Sequence, residues 1–154
     1  MGVDYCLLTR QLDAITKDVS VSVSNYANAA ALLFHALPGV SWAGFYFLKD
    51  SFLYLGPFQG KPACTRIGLG AGVCGTAALR KEALIVEDVR LFPGHIACDP
   101  ASKSELVIPL IWEERVLGVL DLDAPVVSRF SAEDRDGLLP FCDLLVRRAH
   151  FIMP

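Results

Sequence analysis

Residues 105–123 read ELVIPLIWEERVLGVLDLD, and this stretch decides the fold. Two apolar runs, 105–112 and 116–123, flank the polar Glu113-Glu114-Arg115, the pattern of an antiparallel hairpin. With a three-residue loop, Trp112 opposes Val116 and Glu105 faces Asp123. Asp121 lies two residues from Asp123 and therefore on the same side of the ribbon. Opposed like charges in a sheet cost about 0.2–1 kcal/mol. The three acids are thus either a solvated strand end or a cluster with a purpose. A bulge at Pro109 would reverse the parity of Glu105 and take it out of the group.

Outward from the hairpin, the chain reads as one unit over its 154 residues, with no internal repeat, low-complexity segment or linker. Apolar positions recur with helical spacing over 23–37, and Pro38-Gly39 stops that helix. A shorter helix precedes it at about 7–15. The aromatic-rich 41–48 reads as a strand, and 49–51 as a loop into a second strand at 52–58. A short strand near 64–67, a helix over 73–81 and a strand over 83–87 follow. Residues 88–103 hold two prolines and a glycine without a period, so they form a long loop of the kind that serves function. Ser131 to Asp134 resemble a capping box opening a last helix, which Pro140 should kink or divide. The order predicts an α+β fold, a central antiparallel sheet of five or six strands with helices on its faces.

Composition narrows the function classes. Hydrophobic residues are 53% and charged residues 20%, a globular balance. The net charge of −3 offers no basic stripe for nucleic acid. No apolar run approaches a membrane span, and the first residues lack a signal-peptide pattern, so a cytoplasmic location is expected. Five cysteines form an odd set without any CxxC pair, which argues against a secreted disulfide framework and against structural zinc. Buried thiols or redox chemistry remain.

The cysteines differ in setting. Cys98 lies in the long loop between Ala97 and Asp99, and Cys64 stands where a loop enters a strand. Cys74 follows Gly72-Val73 at a helix start, where backbone N–H groups favour a thiolate. Cys142 sits in an apolar helical stretch and reads as core, and Cys6 is near the terminus. His95 would lower a nearby thiol if protonated, though a structural role in the loop is the plainer reading. Trp42 and Tyr46, four apart on a strand, share a face and suit either a core or an aromatic pocket for a thioether or ammonium. A carboxylate cluster can bind an ammonium, or keep one member protonated as a proton donor.

These segments together resemble the free methionine-R-sulfoxide reductases, a branch of the GAF-domain superfamily. The likeness runs from about residue 25 to 147. It is carried by ANAAALL at 27–33, SWAGFY at 41–46, LGPFQGKPAC at 55–64, GVCG at 72–75, FPGHIACD at 92–99, Ser104-Glu105 and GVLDLD at 118–123. Gly68-Leu69 depart from a more usual proline and aromatic, while Cys6, Cys142 and Pro140 are particular to this chain.

The resemblance implies a GAF fold and a thiol mechanism. Cys98 is then the attacking thiolate, with Cys64 or Cys74 to resolve it. Glu105, Asp121 and Asp123 line the substrate site beside Trp42 and Tyr46. Cys98 would attack the sulfoxide sulfur, a protonated carboxyl would supply the proton, and the resulting sulfenic acid would condense with Cys64. An external dithiol such as thioredoxin, fed indirectly by NADPH, would restore the thiols, with no metal or bound organic cofactor. The family also implies a homodimer. The rival reading is a GAF sensor that binds a small molecule or a redox signal without turnover.

Overall fold

The computed structural model describes residues 2–150. Its elements are α1 (Tyr5–Thr16), α2 (Ser22–Ala36), β1 (Trp42–Lys49), β2 (Phe52–Gln59), β3 (Arg66–Gly68), α3 (Gly72–Arg80), β4 (Leu84–Val86), β5 (Ser104–Trp112), β6 (Arg115–Ala124) and α4 (Ala132–Arg148). A short 3-10 turn, Val89–Leu91, interrupts the long loop, capped by Asp88, whose side chain accepts from the Arg90 N–H. The sheet has six strands in the order β3-β2-β1-β6-β5-β4. Every pairing is antiparallel.

The two sheet faces are distinct. On one, Ala43, Phe45, Phe47, Leu106, Ile108, Leu110, Leu120 and Leu122 pack with α1, α2 and α4 into an apolar core. The other bears Trp42, Tyr46, Val107 and Val119, covered by α3 and the long loop through Val73, Cys74, Ala77, Ala78 and Phe92. Alternation along each strand delivers one residue set to each face. No helix among the described residues is long and apolar enough to cross a membrane.

The decisive hairpin differs at its tip from the three-residue reading. Trp112 pairs with Arg115, so the loop is only Glu113-Glu114, both at positive φ (49° and 66°). Such two-residue turns match the right-handed twist of the strands. The register then shifts between Leu110 and Ile111, leaving Leu117 as an extra residue on β6. Beyond that bulge Leu110 pairs with Gly118 and Glu105 with Asp123, the pairing expected from the longer loop. Pro109 stays in register opposite Val119. It causes no bulge because β4 pairs only with Glu105 to Val107, and β5 has a free outer edge at Pro109. The first hairpin is likewise tighter than 49–51, since Lys49 pairs with Phe52.

Pro140 does not divide the last helix, which runs unbroken through it. An interior proline costs about 3 kcal/mol. Burial of Leu138, Phe141, Cys142, Leu144, Leu145 and Val146 on the same helix offsets that cost. At its start the capping box is formed: the Ser131 hydroxyl accepts from the Asp134 N–H, and the Asp134 carboxylate accepts from the Ser131 N–H at 2.8 Å.

Candidate active site

The second sheet face carries an acid cluster because three registers coincide. Asp123 pairs with Trp42 on one side and Glu105 on the other, while Asp121 pairs with Gly44 and Val107. Trp42, Tyr46, Glu105, Asp121 and Asp123 therefore point the same way, and all five line one pocket. Gly44 is needed between the two aromatics: a Cβ there would stand 2.7 Å from the Trp42 ring. Trp42 stacks on Phe58 (5.2 Å, 16°) and on Tyr46 (6.0 Å, 26°), forming an aromatic wall.

This wall is tied to the Cys64 loop. The Trp42 indole N–H donates to the Lys61 carbonyl at 3.0 Å, and the Tyr46 hydroxyl donates to the Cys64 carbonyl at 2.9 Å. Burial and the nearby carboxylates push the Tyr46 phenol far up, so it stays neutral and a donor. Cys64 is bonded to Cys98 in a disulfide, with Cα atoms 5.5 Å apart. Cys98 lies in the same pocket wall. Its loop folds back through short-range bonds, from the Cys98 N–H to the Ile96 carbonyl and from the Ala101 N–H to the Asp99 side chain.

Cys74 corrects an expectation. It sits in the first turn of α3, as the sequence predicts, but it is buried and free. Burial, then the charges of Asp121 and Glu105, push its thiol well above the ordinary value. The helix start cannot stabilise a thiolate against that surrounding. Instead the neutral Sγ faces the Glu105 Oε1 at 3.8 Å as a weak donor.

The carboxyls share the same constraint. Burial first, then the charges of Asp121 and Asp123, raise Glu105 well above the carboxylate range. Asp123 is raised by burial and then by Asp121 and Asp99. Burial raises Asp121 too, but hydrogen bonds from Glu105, Cys74 and Asp123 pull against it. All three carboxyls are thus pushed toward their protonated forms by burial, with hydrogen bonds opposing that push most at Asp121. The Asp121 Oδ1 is buried and has no hydrogen-bond partner.

His95 also lines the pocket, and burial lowers its pKa, so it is neutral and lends no charge to Cys98. Sequence reasoning passed over Ile96, Asp99 and Ser102, which complete the pocket wall. Ile96 and Asp99 stand in the FPGHIACD segment that carries the resemblance, while the only signal for Ser102 was membership of the long loop. Gly72, at φ 61° and the start of α3, also lines the pocket: a Cβ there would meet the Ile96 side chain at 3.2 Å. Cys6 and Cys142 lie elsewhere, exposed on α1 and buried in α4.

Comparison with known proteins agrees with this geometry. The GAF domain family matches residues 1–148. Protein YtsP of Bacillus subtilis is 54% identical over 144 residues, covering 92% of this chain and 88% of its own. The free methionine-R-sulfoxide reductase of Escherichia coli is 49% identical over 134 residues, covering 87% and 81%. The free methionine-R-sulfoxide reductase of Neisseria meningitidis, solved in complex with its substrate, superposes with a TM-score of 0.91 at 39% identity, covering 95% and 88%. The chain belongs to the GAF-domain family, in the branch of the free methionine-R-sulfoxide reductases.

Proposed function

We propose that this protein reduces free L-methionine-(R)-sulfoxide to methionine through a thiol cycle on Cys98. The observation that carries the reading is the meeting, in one pocket, of Cys98, disulfide-bonded to Cys64, with three carboxyls and an aromatic wall. Each part has a chemical use. The Trp42 and Tyr46 rings suit the apolar methyl and thioether end of the substrate. The acid cluster suits an α-ammonium, which would also give the unpartnered Asp121 Oδ1 a donor.

In the first step the Cys98 thiolate attacks the sulfoxide sulfur while Glu105 or Asp123 gives its proton to the departing oxygen. A bond forms between Cys98 Sγ and the sulfoxide sulfur. The protonated oxygen then passes to Cys98 Sγ as the substrate S–O bond and the new sulfur–sulfur bond break, so methionine leaves reduced by two electrons and Cys98 becomes a sulfenic acid. The Cys64 thiol then displaces that hydroxyl, forming the disulfide and releasing water. Cys74 is unsuited to this second step, because a buried thiol held protonated is a poor nucleophile. An external dithiol, thioredoxin in a cytoplasmic setting, then returns Cys64 and Cys98 to thiols by exchange, drawing on NADPH indirectly. The chemistry needs no metal and no bound organic cofactor.

The test is loss of free methionine-(R)-sulfoxide when the protein is supplied with a dithiol. Turnover with free methionine as product is expected. Binding without turnover would place the protein among sensors instead.

A further inference from the structure

The acid cluster holds a fourth polar group that the reductase cycle does not use. Cys74 Sγ, a Glu105 oxygen and an Asp121 oxygen lie within 4.8 Å of one another. All three residues are buried, at 4%, 7% and 6% exposure. Asp121 is on the pocket lining, and its Oδ1 is buried without a hydrogen-bond partner of its own. A carboxyl oxygen removed from water and left unpaired calls for a proton or a cation.

We propose that Cys74, Glu105 and Asp121 form a binding site for a thiophilic divalent cation, Zn2+ or Co2+, which blocks the pocket when occupied. One thiolate and two carboxylates on one side of an ion make a three-ligand set, and a tetrahedral zinc site accepts a fourth ligand from the open side. That side is the pocket. Zinc bonds of about 2.0–2.3 Å require the three atoms to close in somewhat from their present spacing. Ca2+ and Mg2+ are excluded by chemistry, since they demand six or more oxygen ligands or retained waters. Binding forms one sulfur–metal and two oxygen–metal bonds. It releases the thiol proton and any carboxyl proton to solvent, with no electrons transferred. The ion would take the place assigned above to the substrate ammonium, and that consequence rests on the proposed function.

The site is independent of the disulfide, which gives a clean test. Co2+ is titrated into the oxidised protein, with the Cys64–Cys98 bond intact and the exposed thiol removed by Cys6→Ser. A thiolate-to-cobalt charge-transfer band and tetrahedral cobalt absorption are expected, reversed by Zn2+ and not by Mg2+. Cys74→Ser should abolish the sulfur band. Asp121→Asn, close in shape to the native residue, should weaken binding by at least about tenfold, the lower end for a disturbed metal site. Cys142→Ser should leave the spectrum unchanged. No band, or a band that survives Cys74→Ser in a protein of native circular dichroism, overturns the site. A band in a protein without reductase turnover would sink the proposed function and leave the metal site standing.

Discussion

The two faces of one sheet make opposite use of the same strands. Facing α1, α2 and α4, the strands present Phe45, Phe47, Leu106, Ile108, Leu120 and Leu122 to an apolar core. One residue further along, the same strands present Trp42, Tyr46, Glu105, Asp121 and Asp123 to the pocket. The first face lowers the free energy of the fold by about 25 cal/mol per Å² of apolar surface buried. The second gives up part of that gain to hold three carboxyls where they repel one another. The lesson is that the site is stored strain of an electrostatic kind, held by the stability of the opposite face.

Substitutions can break this contrast, beginning with the largest effect. Cys98→Ser should abolish turnover, because a hydroxyl is a far weaker nucleophile than a thiolate at neutral pH. Cys142→Ser, on the apolar face, should leave turnover nearly unchanged while costing stability, since a buried hydroxyl without a partner costs about 1–3 kcal/mol. Equal losses of turnover in both variants would erase the division between the faces.

Specificity is the next test. A free α-ammonium can form charge-assisted bonds worth about 1.5–3 kcal/mol each with the cluster, and a peptide-bonded methionine has none to offer. Two such bonds discriminate by about 10²–10⁴ in kcat/KM, measured by competing free R, free S and peptide-bound R sulfoxides. Comparable values for the peptide would mean that the acid face is open. Selectivity for R over S should follow from the separate positions of thiol and proton donor around the sulfur.

The pH dependence sharpens the contrast further. Glu105, Asp121 and Asp123 all have raised carboxyl pKa values in the folded protein, chiefly through burial. The folded state therefore holds more protons than the unfolded one. Their contribution is fully present below the unfolded carboxylate range of about 4 and is lost as pH rises through the raised values. Thermal melts should show this term declining from acid toward neutral pH, and Glu105→Gln should flatten the decline while lowering turnover. A decline unaltered by Glu105→Gln would deny the cluster its strain. The smallest effect belongs to Tyr46→Phe, which loses one hydrogen bond to the Cys64 loop, worth about 1 kcal/mol, and should slow disulfide closure by less than about tenfold.

Much of this arrangement was legible in the sequence, and the exceptions have physical reasons. Period-two alternation, together with the register expected from a three-residue loop, placed Glu105, Asp121 and Asp123 together. The hairpin tip was misread because Glu113-Glu114 adopts a positive-φ turn usually signalled by Asn-Gly, and the bulge at Leu117 then restores the register. Local error and local correction cancel before the site is reached. Cys74 was legible as a helix-start cysteine, but its ionisation depends on what the sheet places opposite it. Which of Cys64 and Cys74 lies beside Cys98 was equally illegible, since it depends on how two loops meet across the pocket. Pro140 shows the same priority of packing over local preference, because buried neighbours carry the helix through it.

The most direct measurement is a single turnover of the reduced protein with one equivalent of free methionine-(R)-sulfoxide, without external dithiol, followed by mass mapping of the cysteines. The account predicts one methionine released and a Cys64–Cys98 disulfide. In Cys64→Ser it predicts the same yield of methionine, with Cys98 trapped as a sulfenic acid. Methionine formed by Cys98→Ser, or a disulfide running through Cys74 in the unaltered protein, would contradict it.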